Sequence, residues 1–304
     1  MKKVTIKDIA KEANVSTATV SYILNNVPKQ TITDETRCRV LAAAERLNYV
    51  PNLAARSLVK RKTGLIGILI NRVAGEPWWR RLRYADMVNR LEQLLTERGY
   101  HVVLSSIDAE KPKVGIIAER KLDGVFLIDV KEEHFYSISH HFPAGVPLVV
   151  IDSLVEDTLF YKVIHDVKGA LESAQAWNAD HDCYYIIESY YNEPYVRAIK
   201  DVIGVAEDRI HLMEDEGEMA EFIHKQPAGC KGIIFNEFVG MLAGKYVDPS
   251  HLTIISTSGC PEVVPARAKY VSAAASKSQV SFELMMQLLK QDAELPTDKY
   301  IKVK

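Results

Sequence analysis

Val4-Thr5-Ile6-Lys7-Asp8-Ile9-Ala10, followed two residues later by Ala13-Asn14-Val15-Ser16-Thr17-Ala18-Thr19-Val20-Ser21, reads as two short helices and the turn between them. Thr5 is placed to N-cap the first helix, with Asp8 completing a capping-box-like start, and Ile9, Ala10 and Ala13 fall on one face. Asn14-Val15 makes the turn, and Ser16 caps a second helix from Thr17 to about Leu24. In that helix Val20, Ile23 and Leu24 point inward, while Thr17, Ala18, Ser21, Tyr22 and Asn25 point outward. Small polar residues with one aromatic suit the base edges of a major groove better than they suit bulk water. A third helix follows Thr33, with Asp34 and Glu35 at its positive N-terminal end and Val40, Leu41, Ala44 and Leu47 as its packing side. Two helices joined by a turn and buttressed by a third make a helix-turn-helix unit, although a plain three-helix bundle reads the same at this level.

Working outward, 304 residues are too many for one average domain, and 47% hydrophobic with 26% charged residues is an ordinary globular composition. No apolar run is long enough for a signal peptide or a membrane span, so no membrane association and a cytoplasmic location are expected. Cys38, Cys183, Cys230 and Cys260 are scattered without CxxC spacing and read as structural free thiols, not as metal ligands. The net charge of −2 hides an asymmetry: through Lys62 there are twelve basic residues against five acidic ones, so the remainder is strongly acidic. A basic head on an acidic body suits a polyanion at one end only.

The two quoted stretches, together with Asn48-Tyr49-Val50-Pro51-Asn52-Leu53-Ala54-Ala55-Arg56-Ser57-Leu58 and Lys62-Thr63-Gly64-Leu65-Ile66-Gly67, closely resemble the head and hinge of the lactose/galactose repressor family of transcriptional regulators. The likeness is dense and collinear over residues 4 to 70. It implies a helix-turn-helix domain over 1–50, a hinge over 51–62, and an effector-sensing and dimerising body over 63–304. It also implies that Thr5, Ser16, Thr17, Ala18, Thr19, Ser21, Tyr22 and Asn25 meet DNA, and that Asn52, Ala55 and Leu58 do so from the hinge, with Leu58 as a minor-groove wedge. Tyr22 stands where many relatives carry arginine, and Val59 where some carry lysine. The partner expected from the resemblance is a near-palindromic double-stranded operator bound by a homodimer.

From Leu65 the pattern turns to short apolar runs alternating with amphipathic stretches. Leu65 to Ile70, His101 to Leu104, Gly124 to Ile128 and Leu148 to Ile151 read as buried parallel strands, with helices Leu82 to Glu97 and Pro112 to Lys121 between them. A second series comprises Cys183 to Glu188, Arg209 to Met213, Gly232 to Phe235 and Leu252 to Ser256. Repeated strand-helix units predict doubly wound α/β lobes with ligand sites beyond the strand C-termini. The expected architecture is an all-α head plus a two-lobed body of the periplasmic-binding-protein kind. By the resemblance, lobe 1 spans about 63–164 and 271–294, and lobe 2 about 165–270 and 295–304, with chain crossings near Val163–Asp166, Tyr270 and Leu295.

Candidate effector-contacting residues are Asn71, Arg72, Trp78, Trp79, Asp129, Arg197, Asn236, Glu237 and Ser258, with Asp152-Ser153 and Asp166 also at strand ends. Relatives commonly carry an arginine followed by glycine three residues later, where this sequence has Arg197 and Lys200, and a guanidinium suits a carboxylate, a phosphate or paired hydroxyls. Ser258 replaces the relatives' hydroxyl-gripping aspartate, which argues against a standard hexose. The expected effector is a small polar molecule: sugar-like, a nucleoside or a small anion. A protein partner acting on a degenerate cleft is the alternative. No nucleophile elbow, Walker loop, GxGxxG after a strand or HExxH occurs, and His140-His141 lacks partner carboxylates at metal spacing, so neither catalysis nor a cofactor is expected.

Overall fold

A computed structural model describes residues 4–24, 32–49, 62–112, 115–142, 145–272, 276–290 and 294–303. The chain divides into two compact units, Met1–Thr63 and Gly64–Lys304. Asn25, Asn52, Ala55, Leu58 and most of the expected hinge lie outside the described residues.

In the first unit, α1 (Ile6–Glu12), α2 (Thr17–Leu24) and α3 (Asp34–Arg46) surround a core of Ile9, Ala10, Ala13, Val20, Ile23, Val40 and Ala43. Local hydrogen bonds set the helix starts. The Asp8 carboxylate accepts from both the N–H and the hydroxyl of Thr5, at 2.8 and 2.7 Å. The Ser16 hydroxyl accepts the N–H of Thr19 at 3.0 Å, and Thr33 caps α3 through the N–H of Thr36. Asn14 takes a left-handed φ of 50°, which turns the chain sharply between α1 and α2 and which Asn tolerates better than most residues. Leu41 differs from expectation: it is 48% exposed, because the stripe Val40, Ala43, Ala44 and Leu47 already fills the inward side of α3.

The second unit contains two parallel sheets. The first has the order β11-β5-β4-β3-β1-β2 and the second β10-β9-β8-β6-β7. Its strands are β1 (Leu65–Arg72), β2 (His101–Asp108), β3 (Gly124–Ile128), β4 (Leu148–Ile151), β5 (Tyr161–His165), β6 (Cys183–Glu188), β7 (Ile210–Met213), β8 (Lys231–Phe235), β9 (Leu252–Ile255), β10 (Lys269–Val271) and β11 (Tyr300–Val303). Alternation along the first sheet sends Ile66, Ile68, Phe126, Ile128, Val149 and Ile151 into one core and Leu69, Val125, Leu127, Leu148 and Val150 into the other. Helices cover both faces, as parallel sheets require.

Three expectations need correction. β11 pairs with β5 in the first sheet, Ile301 opposite Val163, so residues 300–303 belong to lobe 1 and not to lobe 2. Val303 packs in the lobe 1 core with the helix Lys277–Lys290, so the chain returns to lobe 1 after β10 and its last strand stays there. β2 is the edge strand and carries Leu104 at 57% exposure, so it is not a buried strand. The stretch after β1 forms two helices, Trp78–Leu82 and Ala85–Glu97, instead of one.

Candidate functional sites

On the head, Ser16, Thr17, Ala18 and Tyr22 are exposed, while Thr19 and Ser21 are half-buried. The sequence TATVSYIL of α2 contains no charged side chain. Ser16 and Thr19 bond each other at 2.9 Å besides sharing the cap, and Thr5 is tied to Asp8, so these three build the helix starts. Thr17, Ala18 and Tyr22 are the outer surface that remains. An uncharged outward face lets a helix approach stacked base edges, while the positive charges that answer phosphates sit on the flanking helices, as Lys7, Lys11, Arg37 and Arg39 do here.

In the body, residues just beyond the strand C-termini converge where the two lobes meet. Asp129, Asp152 and Asn236, immediately after β3, β4 and β8, all take positive φ (53°, 51° and 94°). Each such position costs on the order of 1–3 kcal/mol, and the surrounding contacts hold all three in place. The centre of the convergence is Arg83, which is 3% exposed. Its guanidinium pairs with Asp129 of lobe 1, donates to the Ser189 carbonyl of lobe 2, and lies 3.9 Å from Glu188. The rings of Tyr84 and Tyr190 flank it, with centroids 4.7 and 4.8 Å from its central carbon. Asp129 also accepts the backbone N–H groups of Tyr191 and Asn192 across the cleft, at 2.8 and 3.3 Å. Asn192 in turn donates to the carbonyls of Val130 and Leu154 and accepts the N–H of Leu154. A second buried pair, Lys277 with Asp152 at 2.5 Å, lies beside it.

Electrostatics follow from this packing. Burial pushes the Asp129 carboxyl up to about 7 even with Arg83 against it. Burial alone would lower the Arg83 guanidinium, but the surrounding Tyr84, Asp129 and Glu188 raise it, so it stays charged. Glu237 shows the opposite balance: burial would raise it, yet hydrogen bonds from the N–H and hydroxyl of Ser258, among others, hold it below its usual value. Its carboxylate accepts from Ser256, Thr257, Ser258, Gly259, Cys260 and Tyr270.

The sequence-predicted effector residues therefore divide. Asp129 and Asn236 join one network through Arg83 and Glu188, which accepts from the Asn236 amide at 3.0 Å. Glu237 and Ser258 bond each other, and Asn71 donates to the Ile128 carbonyl. Arg72 is engaged with Glu76 and the Arg81 carbonyl. Trp79 is 2% exposed within the lobe 2 core, and Trp78 packs edge-on against Phe238 with ring centroids 6.0 Å apart. Arg197 is exposed and is not drawn into this network. Sequence reasoning missed Arg83, Tyr84, Glu188, Tyr190, Asn192 and Lys277. Nothing in Arg80-Arg81-Leu82-Arg83 sets one arginine apart; only burial does.

Beside this centre are two cavities that share a wall of His165, Ser256, Thr257 and Ser272. The larger, about 410 Å3, extends along the helix Val167–Ala176. The smaller, about 280 Å3, extends toward Asp86, Arg90 and Lys277. Arg197 lines neither. Among the described residues there is no cluster of side chains that would hold a metal ion, and no helix is long and apolar enough to cross a membrane.

A reading head and a two-lobed α/β body define a regulator class, and comparison with known proteins agrees. Residues 5–52 match the family described as "Bacterial regulatory proteins, lacI family". The chain is similar to catabolite control protein A of Staphylococcus epidermidis (strain ATCC 12228 / FDA PCI 1200), 33% identical over 228 residues, covering 70% of this chain and 66% of that one. It is also similar to the HTH-type transcriptional repressor PurR of Proteus mirabilis (strain HI4320), 31% identical over 153 residues, covering 49% of this chain and 42% of that one. Matches to two further curated relatives span 54% and 58% of those proteins' lengths. In fold, the chain is similar to the lac repressor dimer bound to operator and the anti-inducer ONPF, with a TM-score of 0.74 at 16% identity, covering 99% of this chain and 96% of that one. It is likewise similar to a transcriptional regulator CelR–cellobiose complex, with a TM-score of 0.58 at 17% identity, covering 99% and 97%. The head of the chain is that of the lacI family of bacterial regulatory proteins, and the chain has the fold of the lac repressor.

Proposed function

We propose that this protein binds a near-palindromic operator as a homodimer, represses transcription in the cytoplasm, and has its operator affinity adjusted by a small molecule bound to the body. The observation that carries this reading is the uncharged outer face of α2, Thr17, Ala18 and Tyr22, on a head in which basic residues outnumber acidic ones. One short helix covers too few base pairs for specificity, so pairing of two heads is the economical arrangement. The similar lac repressor structure is a dimer on its operator, which supports the same assembly here. Leu58 and its neighbours Asn52 and Ala55 keep the role that the family resemblance implies.

Selection of genomic fragments by the purified protein, followed by fluorescence anisotropy on the enriched site, tests the reading. A twofold-symmetric site bound by two chains is expected, and equal affinity for random DNA would overturn it. The second reading, input from a protein partner, draws on Arg83, which fills the centre of the cleft with the protein's own cation. A small molecule acting on this protein must therefore be accommodated away from that centre.

A further inference from the structure

The stretch from Val73 to Arg83 leaves lobe 1 at the end of β1 and returns to it at the helix Ala85–Glu97, yet in between it is anchored in lobe 2. Val73 donates its N–H to the Tyr191 hydroxyl at 3.1 Å, and that hydroxyl donates to the Glu76 carboxylate at 2.9 Å. Trp78 meets Phe238 edge-on, and the Arg80 guanidinium lies 4.2 Å from the Tyr191 ring centroid. Trp79 is buried with Tyr184, Ile186, Met213 and Phe238 in the lobe 2 core. Arg83 ends the stretch, donating to the Ser189 carbonyl and lying 3.9 Å from Glu188.

Local structure puts these anchors on one side. Pro77 starts the short helix Trp78–Leu82, and the Arg83 N–H bonds back to the Trp79 carbonyl at 3.1 Å. Trp79 and Arg83, four residues apart, therefore share a face, and both are buried, while Trp78, Arg81 and Leu82 are exposed. That face enters the space beyond the strand C-termini, where doubly wound α/β lobes take ligands. Here the space holds the protein's own guanidinium, with Asp129 and Glu188 as counter-charges and the rings of Tyr84 and Tyr190 against it. Parting the lobes would draw the Trp79 indole out of an apolar core and separate Arg83 from its lobe 2 acceptors.

We propose that residues 73–83 are a built-in latch, which stands in the cleft in place of a ligand and holds the two lobes closed with no small molecule bound. The latch acts whether or not a small molecule adjusts operator affinity. Any agent that opens the body has to displace Trp79 and Arg83 first.

Hydrogen exchange of the full chain, read by mass spectrometry with no ligand added, tests it. In the wild type the amides of Val73, Tyr191 and Asn192 should be protected by at least about a hundredfold relative to a free chain. Tyr191→Phe removes the hydroxyl that bridges Val73 and Glu76 and keeps the ring under Arg80. It should speed exchange in residues 73–84 and 189–193 by about threefold to tenfold and leave β3 and β8 unchanged. Arg83→Ala should speed it further and shift tryptophan emission to the red as Trp79 meets water. Exchange of these segments at free-loop rates in the wild type would overturn the latch. So would variants whose residues 73–84 exchange as in the wild type, or faster exchange spread evenly over both lobes. If Arg83→Ala fails to fold, Tyr191→Phe decides alone.

Discussion

Arg83 and Asp129 form a buried ion pair at the junction of the two lobes, with Asp129 also holding the backbone N–H groups of Tyr191 and Asn192 from the opposite lobe. The pair thus stands among the hydrogen bonds that join the lobes, with those of Asn192 to Val130 and Leu154 beside it. Removing one partner leaves the other charge buried and uncompensated, which is far worse than removing both.

Arg83→Met should therefore destabilise the body by about 3–5 kcal/mol, and Arg83→Met combined with Asp129→Asn should recover part of that loss. Urea denaturation of the wild type and the three variants gives the coupling. Strict additivity of the two single changes would show that the pair contributes no mutual energy.

Glu237→Gln tests the second buried carboxylate. An amide nitrogen would turn toward donors that now point at a carboxylate oxygen, leaving several N–H and O–H groups of Ser256–Cys260 unpaired. A loss of about 2 kcal/mol or more is expected, with increased hydrogen exchange confined to residues 256–260 as the specific signature. A destabilisation spread evenly over the body would contradict it.

His165 gives a pH dependence whose sign is fixed. Its folded value of about 4 lies below its usual 6.5, so the folded state binds fewer protons than the unfolded chain between those limits. Stability from this group is full above pH 6.5 and is lost as the pH falls toward 4, by on the order of 2–3 kcal/mol. Asp129 acts in the opposite sense, since a carboxyl raised to about 7 favours the folded state as it protonates. Comparing His165→Gln with wild type isolates the histidine: the variant should lose less stability between pH 6.5 and 4.5. Parallel curves would refute the assignment.

On the head, Tyr22→Ala should weaken operator binding by about tenfold or more while changing random-DNA binding little, because Tyr22 faces outward and has no phosphate-directed charge. Leu58→Ala should behave similarly if it acts as the wedge, which contributes only when the DNA is kinked. Equal losses on operator and random DNA would show that either residue is only structural.

The head was legible in the sequence because its information is local. Capping residues, the Asn14 turn and the 3.6-residue apolar period each operate within a few positions, so Thr5, Ser16 and Thr33 appear in the structure where the chain alone puts them. Two lobes of parallel strands were legible for the same reason. The partner of β11 was not, since a four-residue strand pairs by fit to a distant neighbour, here β5. Nor was the inter-lobe site, for a different physical reason. Arg80, Arg81 and Arg83 are alike as text, and Asp129 is far along the chain from Glu188 and Asn192. Only burial in a shared low-dielectric space makes Arg83 the cation that Asp129 and Glu188 both face, while Arg197, the residue singled out by sequence, stays in solvent.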